Sequence, residues 1–302
     1  MASKNTATRA GVAMVVFAAM GWGVIGLFTR YLNSVGLNSI QITFIRSFLS
    51  AIGIAIIILV TDKSHFRIKI KDLWMFLVTG ICSIALFNVC YFMAIERMAL
   101  STASVLLYTS PCMVLIMSRI FFKEKITGNK AVALILAFAG CVMTAGLGSG
   151  NNTLTAIGLL LGLIAAFGYS LYTIMGSVAL KKYHMLTVTF YTFVFAALAL
   201  VWFSAPAKIP AVVIADWKNV LYIVLLTLIS TLTPFLLYSQ GLKVLEPGRA
   251  SIIAFVEPLT ATVMGLIVFH EPLTVFSVIG IALMFGSVIL LNIKFKNQQM
   301  ET

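Results

Sequence analysis

The chain has 302 residues, of which 61% are hydrophobic and only 10% charged, and its mean hydropathy is +1.07. Soluble globular domains have about 45–50% apolar and about 25% charged residues, so an ordinary soluble protein is excluded. Three histidines and four cysteines without a Cys-x-x-Cys pair exclude a disulfide scaffold, and we expect no metal site and no cofactor. The formal charge of +12 does not indicate nucleic acid in so apolar a chain.

Apolar runs long enough to cross a membrane recur along the whole sequence. A bilayer core of roughly 30 Å requires about 20 helical residues, and ten such runs occur. They cover residues 10–29, 38–60, 73–95, 99–122, 128–147, 156–178, 186–204, 218–242, 247–269 and 273–293. The sequence therefore predicts an all-α membrane protein of ten transmembrane helices, with the first helix retained rather than cleaved as a signal peptide.

The distribution of cations predicts the orientation. With a cytoplasmic N-terminus, 15 of the 21 Lys and Arg lie on the inner side and 4 on the outer side, while Arg46 and Arg119 lie within spans. Cytoplasmic loops of membrane proteins carry an excess of Lys and Arg. We therefore expect a multi-pass protein of the cell (inner) membrane with both termini in the cytoplasm, whose partners are the lipid bilayer and a small-molecule substrate.

The sequence repeats itself at an offset of 147 residues. The informative matches are Tyr91 with Tyr238, Ser104 with Ser251, Pro111 with Pro258, and Glu124 with Glu271. The predicted domains are residues 1–150 with helices one to five, and residues 151–302 with helices six to ten. Because five spans precede the second half, it enters the membrane inverted, an architecture typical of secondary transporters that work by alternating access.

Two polar features lie in the connections between spans. Glu124 and Glu271 follow spans four and nine. We expect each carboxylate to cap the N-terminus of the next helix, because that end carries a positive partial charge. Asn151-Asn152-Thr153 matches the glycosylation pattern, but a short polar linker is the preferred interpretation.

Several short motifs resemble those of one membrane-protein family. They are Gly21-Trp22-Gly23, Phe44-Ile45-Arg46 with Ala51, the segment from Tyr108 to Pro111 with Glu124, Glu257-Pro258, and Glu271-Pro272-Leu273 with Gly280. Together with ten spans and a duplication, they resemble the EamA family of the drug/metabolite transporter superfamily. The resemblance implies two inverted five-helix halves, peripheral fifth and tenth helices, and a cavity among the first, third, fourth, sixth, eighth and ninth.

Prolines interrupt three of the predicted spans. Pro111 and Pro258 lie at equivalent depths in spans four and nine, near the midplane. A proline there removes a backbone hydrogen bond and kinks the helix, and paired interruptions are a pointer to a transporter site. A packing kink without ligand contact is the alternative. Pro234 has no counterpart, because Phe87 stands at the equivalent position, so we expect spans three and eight to bend differently.

Glu257 and Arg46 are the ionisable residues predicted near the middle of the membrane. A charge at that depth costs about 2.5–3.5 kcal/mol on insertion scales, so a function or a partner must offset it. Glu257 is a candidate for binding a proton or a substrate amine, with a structural hydrogen bond as the equal alternative. Arg46 is a candidate partner of Glu257, although its side chain can also extend towards the interface.

Aromatic and amide side chains on the implied cavity helices form the remaining candidate site. They are Trp22, Asn88, Tyr91, Ser104, Tyr108, Tyr169, Tyr172, Tyr238 and Gln240. Packing or an interfacial aromatic belt is the alternative for each of them.

The predicted function is that of a secondary transporter exporting an amino acid or a similar zwitterionic or polar solute. Alternatives within the same superfamily are a lipid or lipid-linked-sugar flippase and a vitamin or nucleoside importer. An enzyme is not expected, because no Ser/His/Asp arrangement, HExxH motif or nucleotide-binding loop occurs. Proton exchange and facilitated diffusion are both compatible with one buried carboxylate. The oligomeric state is left open, because the two fused halves of one chain already form a complete cavity.

Overall fold

The structure, a computed structural model, describes residues 2–145, 155–270, 272 and 274–298, and side chains within these ranges from residue 6 to residue 291. All regular elements in this part of the chain are helical. Glu271 and Asn151-Asn152-Thr153 lie outside the described residues, so the expectations for them stay predictions.

In the described part of the chain, ten helices coincide with the ten apolar segments of the sequence. Eight are long and apolar enough to cross a membrane, and α5 and the apolar part of α10, Val275–Leu291, are shorter. The helices are α1 Thr6–Ser34, α2 Ser39–Thr61, α3 Ile70–Ile95, α4 Leu100–Phe122, α5 Gly128–Thr144, α6 Ala156–Leu180, α7 Met185–Ser204, α8 Trp217–Leu242, α9 Pro247–Val268 and α10 Val275–Gln298. The protein is therefore a multi-pass membrane protein.

Local capping residues fix where several helices begin. Asn38 and Gln41 form a capping box at the start of α2, each side chain accepting the other's backbone N–H at 2.9 Å. Thr155 accepts the Gly158 N–H at the start of α6. Thr127, rather than Glu124, accepts a backbone N–H at the start of α5, so the expected capping role of Glu124 is wrong. A hydroxyl one residue before the helix reaches its free N–H groups, whereas Glu124 is four residues away from the helix.

The two halves share irregularities at positions 147 residues apart. The α4 helix is divided into Leu100–Leu107 and Ser110–Phe122, and α9 is divided into Pro247–Ile253 and Val256–Val268. Both helices end in a left-handed residue, Lys123 with φ 56° and His270 with φ 51°. The duplication is therefore present in the backbone as well as in the sequence.

The α3 and α8 helices each contain a π-helical segment. These segments are Val78–Leu86 and Leu228–Leu232, and at the offset of 147 the second falls within the first. Phe87 and Pro234 stand just after them. The two helices are therefore interrupted at equivalent positions, over nine residues in α3 and five in α8. The different bend expected from the unmatched Pro234 stays a prediction. Such π segments are frequent at functional sites.

Helices of one half pack mainly against helices of the other. The α5 helix packs on α10, α2 on α7, α1 on α8 and α9, α6 on α3 and α4, and α4 on α9. Gly140 and Gly280 face each other at the α5–α10 crossing, where a Cβ on either glycine would lie 2.6 Å from the carbonyl oxygen of the other. Small residues of this kind allow helix backbones to approach closely in membranes.

The alternating helices give the bundle two ends. We call the end at which α1 begins the amino-terminal face; it carries the connections α2–α3, α4–α5, α6–α7 and α8–α9. The other end, with the connections α1–α2, α3–α4, α7–α8 and α9–α10, is the opposite face.

Candidate substrate cavity and its charged residues

A small central cavity lies where the breaks of α4 and α9 meet α6 and α8. Its volume is about 20 Å³, which is room for little more than a water molecule. Both halves contribute to its lining, which consists of Tyr108, Ser110, Pro111, Val114, Tyr169, Thr173, Tyr238, Ser251, Ala254, Phe255 and Glu257. A solute larger than water therefore requires these helices to separate.

Glu257 is the one charged residue in that lining. It stands in the first turn of the second α9 segment, near the middle of the 22-residue span. Its Oε2 accepts the hydroxyl of Tyr169 at 2.7 Å, and the side chain is partly exposed because it faces the cavity. The carboxylate therefore has one protein hydrogen bond among the described residues and a surface left for a proton or a ligand.

Aromatic rings and hydroxyls surround this carboxylate. The Tyr238 hydroxyl lies 2.9 Å from the hydroxyl of Thr173, and the ring of Tyr108 lies 6.0 Å from that of Phe255. Residues 108 and 255 are equivalent in the repeat, as are Ser110 and Glu257. The cavity is therefore built from matching positions of α4 and α9, and only the α9 side carries a charge.

Arg46 lies outside the cavity lining but close to it. The side chain is 8% exposed, and its Nη2 donates to Asn88 Oδ1 at 3.4 Å. Phe87, the neighbour of Asn88, contacts the ring of Tyr169 at a centroid distance of 5.4 Å. Arg46 and Glu257 form no ion pair within 4.0 Å.

The structure gives the other predicted site residues different surroundings. The Tyr91 and Ser104 hydroxyls lie 2.9 Å apart, and the Tyr172 hydroxyl lies 3.1 Å from that of Ser239. Trp22 packs against Tyr238 at 5.1 Å and Phe235 at 5.3 Å. Trp22 Nε1 and Gln240 Oε1 are buried without a hydrogen-bond partner among the described residues. None of Trp22, Asn88, Tyr91, Ser104, Tyr172 and Gln240 is in the lining of the central cavity.

The sequence interpretation did not propose several residues that line the cavity. Ser110, Thr173, Ser251 and Phe255 are all lining residues. Three of them were visible in the repeat, since Ser110 is equivalent to Glu257, Ser251 to Ser104, and Phe255 to Tyr108. Equivalence to a candidate residue was therefore a usable signal. Thr173, equivalent to Gly26, had no such signal.

A buried charged cluster joins the halves at the amino-terminal face. Lys130 Nζ lies 2.7 Å from Glu124 Oε1 and 2.6 Å from Glu246 Oε2. The Ser118 hydroxyl and the Gly248 N–H, the latter at 3.0 Å, both donate to Glu124 Oε2. A Cβ on Gly248 would lie 2.6 Å from Glu124 Oε1, so glycine is required for this close approach.

A second ionic contact joins the halves at the same face. Lys182 Nζ lies 2.8 Å from Asp72 Oδ1, and the Tyr183 hydroxyl donates to Asp72 Oδ2 at 2.8 Å. Nearby, the rings of His65 and His184 are stacked at a centroid distance of 4.2 Å. Burial, with the neighbouring positive charge of Lys243, lowers the pKa of His184.

Two contacts at the opposite face involve the positions equivalent to Asp72 and Phe122. The Tyr31 hydroxyl donates to Asn219 Oδ1 at 2.9 Å, and Asn219 is the equivalent of Asp72. The Arg30 guanidinium lies 3.9 Å from the centre of the Phe269 ring. Phe122 is the equivalent of Phe269, and the centre of its ring lies 4.4 Å from Lys181 Nζ. The halves are thus in contact at both faces around a nearly closed centre.

The described residues contain no group of three or more His, Cys, Asp or Glu able to hold a metal ion. Fold and site together define a polytopic membrane protein with a small cavity, lined by hydroxyls, aromatic rings and one carboxylate, between its two halves. Two segments, residues 9–146 and 156–293, match the model of the EamA-like transporter family. The chain belongs to this EamA family, within the drug/metabolite transporter superfamily.

Relatives of this chain are described as transporters. An "Uncharacterized transporter" of Archaeoglobus fulgidus is 27% identical over 93% of this chain and 96% of its own length. The "Uncharacterized inner membrane transporter YicL" of Salmonella typhimurium is 25% identical over 95% and 96%. A solved crystal structure superposes with a TM-score of 0.78 over 97% of this chain and 99% of the other, at 16% identity, so it supports the fold alone. The expected family is confirmed, and the protein is a membrane transporter by family.

Proposed function

We propose that the protein is a secondary transporter that exports a small zwitterionic or polar solute, such as an amino acid, across the cytoplasmic membrane. The single observation that carries the proposal is Glu257, a carboxylate at mid-membrane depth that faces a cavity shared by the two halves. A charge in this place costs several kcal/mol on insertion scales, and such residues commonly belong to substrate or ion pathways.

The mechanism is alternating access between two inverted halves. The cavity volume of about 20 Å³ excludes a metabolite, so entry of a solute requires the halves to separate. Separation of the halves at one face admits the solute, and separation at the other releases it. The broken α4 and α9 helices and the π segments of α3 and α8 lie at the centre, where helix geometry must change.

The orientation follows from the distribution of cations. The amino-terminal face is the cytoplasmic side, because the connections at this end carry most of the Lys and Arg. Both termini lie in the cytoplasm. Glu257 takes up either a proton or the amino group of the solute, so that its charge is not left unpaired inside the membrane.

The test is Glu257→Gln in proteoliposomes. We expect the variant to lose at least tenfold in flux, or to lose the pH dependence of flux, in a counterflow screen of amino acids, vitamins and nucleosides. Glu96→Gln is the matched control, because the Glu96 side chain is 73% exposed and the substitution is the same. If Glu257→Gln had the same flux as the wild type, with the same pH dependence, the proposal would be contradicted.

An apolar groove between α2 and α7 favours a second candidate function. Its volume is about 360 Å³, and its lining is entirely apolar, consisting of Phe44, Phe48, Ala51, Ile52, Ala55, Phe190, Val194, Ala197, Leu198 and Val201. An acyl chain fits such a surface, so lipid translocation is the alternative. Movement of a short-chain fluorescent phospholipid that is insensitive to Glu257→Gln would favour this alternative over the metabolite proposal.

A further inference from the structure

The apolar groove between α2 and α7 lies on the outside of the bundle. Its volume of about 360 Å³ falls within the range of about 300–1,000 Å³ that is usual for sites of small organic ligands. Phe48, Ile52 and Leu198 line the groove and are 48%, 42% and 57% exposed. Because these side chains face the hydrocarbon of the bilayer, the surface is suited to an acyl chain.

The apolar surface of the groove continues to the amino-terminal face. On α2 the lining ends at Ala55, and Leu59, one turn further along the same stripe, is 52% exposed. On α7 the lining begins at Phe190, five residues after the start of the helix at Met185. About 8–9 Å therefore separates the lining from the helix ends at this face. An acyl chain that begins among the headgroups there reaches the groove along Leu59.

The connection from α2 to α3 is held over this end of the groove. The Thr187 hydroxyl of α7 donates to the carbonyl oxygen of His65 at 2.8 Å, and the Tyr191 hydroxyl donates to that of Phe66 at 2.7 Å. The Phe66 ring lies edge-to-face with the ring of Phe190, a lining residue, and their centroids are 5.2 Å apart. These contacts fix the connection beside the groove.

Four exposed cations stand on this connection, and among the described residues none of them forms an ion pair within 4.0 Å. They are Lys63, Arg67, Lys69 and Lys71. The two neighbouring carboxylates have other partners. Asp62 accepts the Ser64 N–H at 2.8 Å, and Asp72 pairs with Lys182. The positive charge of the connection is therefore available to an anion outside the protein.

The other end of the groove has no such excess of charge. The α1–α2 connection, residues 35–38, has no charged side chain. The α7–α8 connection has one cation, Lys208, and one carboxylate, Asp216, and Lys218 follows in the first turn of α8. The difference between the two ends indicates that an anionic headgroup is bound at the amino-terminal face.

We propose that an anionic phospholipid of the leaflet at the amino-terminal face binds at this site, with an acyl chain in the α2–α7 groove and its phosphate on the cations of the α2–α3 connection. Clusters of about four to eight Lys or Arg directly beside a transmembrane helix are suited to anionic headgroups. The lipid contacts the first half through α2 and the second half through α7, so its binding joins the halves. It stays at the side of the bundle and is not the transported solute, so the inference does not depend on the proposed function.

The experiment compares two lipids that differ only in the headgroup. The purified full chain is titrated in detergent with dioleoylphosphatidylglycerol and with dioleoylphosphatidylcholine, and the bound lipid is counted by native mass spectrometry. We expect the wild type to bind the anionic lipid more tightly. Lys63→Gln combined with Arg67→Gln should reduce this preference by about tenfold to thirtyfold, since each cation beside an anionic membrane surface contributes about fivefold.

Ala55→Trp tests the groove separately. The larger side chain fills part of the groove and leaves the cations in place, so we expect both lipids to bind more weakly while the preference between them is kept. Lys208→Gln combined with Lys218→Gln is the matched control for the headgroup variant, because it removes two exposed cations at the opposite face. The control should keep the wild-type preference.

The unfolding temperature without lipid identifies any variant that fails to fold. In that case Lys69→Gln combined with Lys71→Gln replaces the first headgroup variant, and Ala55→Leu replaces Ala55→Trp.

Three results would overturn the inference. The first is a wild-type protein that binds the two lipids equally or binds neither. The second is a folded headgroup variant that keeps the wild-type preference, and the third is a folded groove variant that binds both lipids as tightly as the wild type. None of these results concerns the effect of Glu257→Gln on flux, by which the proposed transport function is judged.

Discussion

The two faces of the bundle join the halves with different chemistry. At the amino-terminal face the halves meet through the ion pairs of Lys130 with Glu246 and of Lys182 with Asp72. At the opposite face Asn219 replaces Asp72, and Ser277 and Ala99 stand where the first face has Lys130 and Glu246. These three positions at the opposite face therefore contribute no ion pair between the halves.

The cations at the amino-terminal face have two roles. An excess of Lys and Arg at one end is sufficient to set the topology of a membrane protein. Here Lys130 and Lys182 also join the first half to the second at that end. The duplicated halves have therefore diverged in charge at these contact positions, and we expect the contacts at the two faces to respond differently to salt, to pH and to substitution.

The largest effect is expected from breaking the buried cluster. Lys130→Met leaves Glu124 buried without its cation, and removing one member of a buried ion pair typically costs about 3–5 kcal/mol. We expect a marked fall in the unfolding temperature of the purified protein. The equivalent substitution at the opposite face, Ser277→Met, should have little effect.

A double variant separates the loss of the ion pair from the loss of packing. Lys130→Met combined with Glu124→Gln removes both charges, and we expect it to recover much of the stability that the single variant loses. Equal instability of the single and double variants would mean that the charges of this cluster are not what holds the amino-terminal face closed.

A smaller effect is expected from replacing Asp72, the partner of Lys182, by the residue found at the equivalent position of the opposite face. Asp72→Asn introduces the residue found at position 219 and keeps an acceptor for the Tyr183 hydroxyl. Because Lys182 is 51% exposed, the ion pair is partly screened, and the loss is about 1 kcal/mol or less. Thermal unfolding at low and high salt should show a salt dependence in the wild type that is reduced in the variant. Identical salt dependence would assign the contact to packing alone.

The smallest effect is expected from acidification. The pKa of His184 is lowered by burial and then by the positive charges of Lys243 and His65, while Asp62 opposes the shift. The folded state therefore binds this proton less readily than the unfolded state. The contribution of His184 to the free energy of unfolding is fully present above the ordinary histidine pKa of about 6.5. It declines as the pH falls below that value.

His184→Gln tests that dependence. We expect the wild type to lose more stability than the variant between pH 7.5 and pH 5.5, measured by the unfolding temperature. His270 at the opposite face serves as a comparison, and His270→Gln should not change the response. If the wild type and the His184→Gln variant had the same pH profile, His184 would not contribute to the pH dependence of stability.

Much of the fold was predictable because membrane insertion imposes a simple pattern. Runs of about 20 apolar residues are required for each span, and the ten predicted segments coincide with ten helices. The α4 and α9 breaks lie next to Pro111 and Pro258, which are visible in the sequence. The π segments of α3 and α8 were not predicted, because the apolar residues of Val78–Leu86 carry no local signal that distinguishes a π turn from an α turn.

The site was harder to predict because its contacts join distant parts of the chain. Glu257 and Tyr169 were both candidates, but their hydrogen bond spans 88 residues, and the bond between Glu124 and Gly248 spans 124. For Glu124, the local interpretation as a helix-start residue competed with a partner in the other half. Local charge patterns could not reveal that partner.

The Gly140–Gly280 crossing constrains how this sequence can vary. The two positions are not equivalent in the repeat, yet each presents its backbone carbonyl to the place where the other would carry a Cβ. In a packed pair of unequal side chains, a larger residue on one helix can be accommodated by a smaller one on its neighbour. Here neither glycine can become smaller, so enlargement at one position has no compensating change at the other, and both must be inherited together.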